Sequence, residues 1–77
     1  MIDTAIRTVD ELEFAVFCIE NVAAVLHTDG QTVYAALKES GILTEYIVPC
    51  YDVLHTQGKE YIVNDILDIM RERGVAI

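Results

Sequence analysis

Basic side chains are scarce in this sequence. Arg7, Lys38, Lys59, Arg71 and Arg73 stand alone against thirteen acids, which leaves a net charge of −8. The five bases are scattered, so no run of Lys and Arg is present to neutralise phosphates, the source of most nucleic-acid affinity. A nucleic-acid partner is therefore not expected. Long apolar runs are missing as well. Phe14–Ile19 and Val22–Leu26 are separated by Glu20 and Asn21, and neither approaches the roughly 20 residues that span a bilayer. The start, Met1 to Arg7, lacks the basic-then-apolar order of a secretory signal. Two cysteines, Cys18 and Cys50, are too few for a disulfide framework and read as reduced thiols. The cytoplasm is the expected location, with no membrane partner.

What is plentiful is apolar surface. The hydrophobic residues make up 53% of a 77-residue chain, against roughly 45–50% in typical domains on a list that also counts glycine. A chain this short buries little, so part of the excess is expected on the surface, where a contiguous patch marks an interface.

The periodicity predicts one all-α domain over 1–77, a compact bundle of about four helices. Residues 1–6 show no period and are expected to fray or lie across the core. Thr8 and Glu11 have capping-box spacing and open a helix over 9–27. Leu12, Val16, Ile19, Ala23 and Leu26 recur at three- and four-residue steps and form its main apolar stripe. Phe14, Phe17, Cys18, Val22 and Val25 fall beside or opposite that stripe, which makes the helix apolar nearly all round. Asp29 caps a second helix, 31–39, with Val33, Tyr34 and Leu37 inward, and Ser40-Gly41 ends it. Thr44 caps a short turn near 44–48. Pro49 suits the first position of a third helix, 49–56. A fourth, 59–73, carries Ile62, Val63, Ile66, Leu67, Ile69 and Met70 inward, with Arg71 and Arg73 at its negative end and Gly74 as its stop.

Val25–Gly30 and Val53–Gly58 are identical except at their fifth position, Asp29 against Gln57. The two VLHTxG segments read as similar solutions to one helix–break–helix joint, with leucine inside and histidine on the last turn. Duplication is the less favoured reading.

Candidate chemistry is thin. Cys18, His27, Cys50 and His55 lack the short paired spacings of a structural zinc site, so no metal is expected, and no cofactor motif is present. Cys18 reads as a core residue. Cys50, in the first turn of the third helix, lies where a thiol pKa is lowered, but no oxyanion loop accompanies it. Tyr51, Asp52 and His55 share one face at i, i+3 and i+4. The leading account of them is His55 capping helix-end carbonyls with Asp52 as support.

The stretch Ile47 to Ile66, above all Leu54-His55-Thr56-Gln57-Gly58 followed by Tyr61-Ile62-Val63 and Asp65-Ile66, resembles short bacterial proteins catalogued as domain-of-unknown-function family 3791. Phe14–Glu20 and Val33-Tyr34 through Ser40-Gly41 are similar too, so the resemblance covers about 9–74. It implies a stand-alone helical protein with no assigned activity. Because the family's genes neighbour proteins that resemble ADP-ribosyltransferases, it also implies an accessory or antitoxin-like role.

Together these features lead to a non-enzymatic protein-interaction module, a homo-oligomer or a protein's partner. Its candidate contact residues are Phe14 and Phe17 on the outer face of the first helix, and Tyr51, Asp52, His55 and Gln57. A helix-turn-helix-like regulator is the alternative, and a small Cys/His enzyme ranks third.

Overall fold

The computed structural model describes residues 8–75; the reading of 1–6 lies outside them. Four α-helices, α1 (Val9–Leu26), α2 (Gly30–Glu39), α3 (Tyr51–Leu54) and α4 (Lys59–Glu72), and one π-helical turn, Leu43–Ile47, make up the fold. No strand occurs among the described residues, and the all-α bundle is as expected.

α1 starts where its chemistry directs. Thr8 is extended, and its hydroxyl accepts the Glu11 N–H at 3.1 Å, filling one of the orphan donors of the first turn. Asp29 does the same for α2, accepting the Thr32 N–H at 2.7 Å. α1 packs against both α2 and α4, and the core runs through Cys18, Val22, Leu37, Ile42, Ile47 and Ile66, all fully enclosed. The Tyr46 hydroxyl donates to the Asp65 carboxylate, tying the π turn to α4.

The middle of the chain departs from expectation. Thr44 caps nothing: it lies inside the π turn, and its hydroxyl donates to the Gly41 carbonyl at 3.4 Å. Pro49 does not open α3. The backbone before it widens, with the Val48 N–H reaching back five residues to Leu43 at 3.1 Å. The proline, which has no N–H to give, falls in the turn that follows. Cys50 becomes the residue preceding a single helical turn.

Two further expectations are corrected. The core of α1 is formed by Phe14, Ala15, Cys18, Val22 and Ala23, whereas Val16 (44%) and Leu26 (39%) are exposed and Leu12 and Ile19 are half-exposed. The stripe with the clearest period is mostly the outer one. Phe14, expected on the outer face, is buried at 8%. It sits on the side of α1 that meets Tyr51, and a large aromatic gains most where more than one element covers it.

The VLHTxG echo also builds two unlike joints. His27 takes the left-handed conformation (φ 57°) and closes α1, with its own N–H and that of Thr28 returning to Ala24 and Ala23, a Schellman closure without glycine. His55 stays right-handed (φ −65°), and Leu54 is buried where Leu26 is not. The differing residue decides the outcome. Asp29 is extended to cap α2, whereas Gln57 makes no side-chain cap for α4, whose N-cap position is Gly58.

Candidate functional site

The expected site residues on α1 and α3 come together as one aromatic run. Phe17 stacks on Phe14 at 6.3 Å, Phe14 meets Tyr51 edge-on at 5.5 Å, and Tyr51 stacks on His55 at 4.4 Å with planes 9° apart. His55 Nδ1 lies 2.7 Å from the Tyr51 carbonyl oxygen. A carbonyl only accepts, so Nδ1 carries the proton and donates. His55 therefore caps the end of α3 as expected, held by Tyr51 and not by Asp52. Burial pushes the Tyr51 hydroxyl's pKa up, and the charges of Asp10, Asp52, Glu13 and Glu11 push it the same way. The phenol stays protonated under acids from two elements. Asp52 and Gln57 are exposed at the margin. Phe14 is packing, Phe17 and Tyr51 are half-buried, and His55 reaches solvent with its acidic surround.

The larger opening is on the other side of α1. At about 100° per residue, Leu12 points about 160° away from Phe14. There α1 and α2 leave an open groove of about 510 Å³, floored by Ala15 and Leu43 and walled by Leu12, Val16, Ile19 and Tyr34. Glu20, Asp29 and Gln31 reach its edge, and among the described residues no Lys or Arg lines it. Gly30 lies against Ile19 at one end, where a β-carbon would stand in ordinary contact, 3.6 Å from Ile19 Cγ2. The Asp29 carboxyl is held below its usual range, first by the Thr32 backbone N–H and then by the Thr32 hydroxyl. The hydroxyl of Tyr34 is buried without a hydrogen-bond partner among the described residues, and Lys38 Nζ lies 5.7 Å from the centre of its ring.

The sequence does not show this groove, because its residues form the cleanest helical stripe, the pattern of a core-facing side. The available signal is the second apolar face on α1, which among the described residues is covered only in part.

For chemistry the described residues offer little. Burial pushes the Cys18 thiol up to about 12, which leaves no nucleophile there at neutral pH. Cys50 is half-buried, and both thiols are free. No group of three or more His, Cys, Asp or Glu among the described residues could hold a metal ion. No helix among them is long and apolar enough to cross a membrane.

No curated protein and no solved structure matches the chain. The family model described as "Protein of unknown function (DUF3791)" matches residues 13–73, a span that takes in the groove's lining except Leu12, the aromatic run and all of α2, α3 and α4. The chain belongs to that family.

Proposed function

We propose that this domain is a non-enzymatic protein-interaction module whose docking surface is the groove between α1 and α2. The observation that carries the reading is the outward stripe of α1: Leu12, Val16 and Ile19 line an open apolar groove that the described residues leave uncovered. An uncovered apolar surface of this kind marks contact with another molecule. The acid surplus adds to it by steering a basic partner and discouraging nucleic acid. Two free thiols fit a reducing compartment, and we place the protein in the cytoplasm. An accessory or antitoxin-like role beside a neighbouring gene product is compatible with such a module.

The test is affinity capture of the intact tagged protein from its own organism. Wild type is run beside Val16→Lys, in the groove, and Val53→Lys, exposed on α3. A protein held by wild type and Val53→Lys but lost with Val16→Lys is the expected result. Light scattering on purified protein, run alongside, identifies a second copy as the groove's occupant. Identical capture by all three proteins, or no capture with a strict monomer, would overturn the reading.

A further inference from the structure

We infer that the groove takes about two turns of an amphipathic helix with basic side chains, presented by a different protein; this rests on the docking reading above. The wall from Leu12 to Ile19 is about 10 Å long at 1.5 Å per residue. That length meets three apolar side chains spaced i, i+3 or i+4, and i+7 on a facing helix. The groove is open along one side, with Val16 at 44% exposure, and so suits a rod laid into it better than an enclosed small molecule. Charge then selects the partner's sign. Glu20 and Asp29 stand at the rim with no base among the described lining residues, and the hydrogen bonds from Thr32 favour the ionised form of Asp29. The N-terminus of α2 offers no anion site, because Asp29 has already taken the Thr32 N–H. A second copy of this chain is the wrong occupant: a two-fold pairing would set acid rim against acid rim on two molecules of charge −8.

Amide spectra of the full isotopically labelled chain test this. The probes are a helical lysine–leucine peptide of about four turns, with leucines at three- and four-residue steps, and its glutamate–leucine counterpart. The lysine peptide should shift the amides of Leu12, Val16, Ile19 and Gln31 saturably, and the glutamate peptide should bind at least about tenfold more weakly. Glu20→Lys, at an exposed position, should weaken the lysine peptide about tenfold and strengthen the glutamate one, while Val53→Lys changes neither. Equal binding of both peptides overturns the inference, as do shifts spread over the acidic surface around Tyr51. The same amides moving with protein concentration alone would assign the groove to a second copy. Binding seen only after removal of residues 1–7 would assign it to the chain's own start. If both peptides fail while capture still depends on Val16, the docking reading stands and this inference falls.

Discussion

Arg73 donates from Nη1 to the Ser40 carbonyl at 2.7 Å, closing the end of α4 onto the end of α2 across 33 positions of sequence. The same guanidinium pairs with Glu45 at 3.2 Å, and the chain between passes through Gly41 at φ 83°. The carbonyl accepted here is among the last of a helix, where no intrahelical donor remains. Glu45 is well exposed, and exposed pairs are worth little.

Arg73→Ala should therefore cost about 1–2 kcal/mol, and Glu45→Ala no more than about 0.5 kcal/mol. Gly41→Ala should cost about 1–2 kcal/mol from the left-handed backbone, with added crowding from a β-carbon 2.7 Å from Glu45 Oε2. Urea titrations of the three variants decide it. Equal losses for Arg73→Ala and Glu45→Ala would mean that the ion pair, not the carbonyl bond, holds the two ends.

The two histidines of the echo should answer to glycine with opposite signs. His27→Gly relieves a left-handed side chain and should stabilise by about 1 kcal/mol. His55→Gly removes the Tyr51 stack and the carbonyl bond and should destabilise by about 1 kcal/mol or more. Thermal melts of both variants read the signs directly.

Phe14 and Phe17 are neighbours in the aromatic run but differ in burial. Phe14→Ala should cost about 3–5 kcal/mol, a large share of what a domain this size holds. Phe14→Leu, closer in volume, should remain folded. Phe17→Ala, from a half-exposed position, should cost clearly less. A greater loss at Phe17 in chemical denaturation would place the core on the wrong side of α1.

Tyr34→Phe should raise stability by about 1 kcal/mol, since it deletes a buried hydroxyl that has no partner among the described residues. A calorimetric midpoint at or below wild type would show that the hydroxyl is satisfied.

Cys18 gives the alkaline dependence. Its folded pKa is raised to about 12 by burial, above the ordinary thiol value of about 8.5. The folded state thus prefers the protonated thiol, and this contribution is complete below about pH 8.5. As pH rises the unfolded chain ionises first, and the contribution is lost progressively until the folded thiol ionises near 12. Cys18→Ala should flatten that alkaline slope. Iodoacetamide at pH 8 should label Cys50 in native protein and reach Cys18 only in denaturant.

The helices were legible because their ends carry local chemistry: Thr8, Asp29, Gly41 and Gly74 act within a few residues of themselves. The inward face of α4 was legible because only one of its faces is apolar. α1 was not, since periodicity reports that a face is apolar and not which element will cover it. Leu12 and Phe14 both belong to apolar faces, and only the placement of α3 and α4 distinguishes them. The aromatic run was half-legible. Tyr51 and His55 meet by helical spacing, but Phe14 joins them through tertiary packing. The π turn left no local mark except Pro49, which suits more than one kind of turn.

The groove has a consequence for the protein as a colloid. Leu12, Val16 and Ile19 are adhesive surface, and the only long-range force holding copies of the molecule apart is their shared negative charge. Acid lowers that charge, while the aliphatic side chains of the core carry no ionisable group. Mild acidification should therefore raise light scattering before the Asp29 cap of α2, whose carboxyl is held below its usual range, is lost. Acid should be felt first between molecules and only afterwards within one.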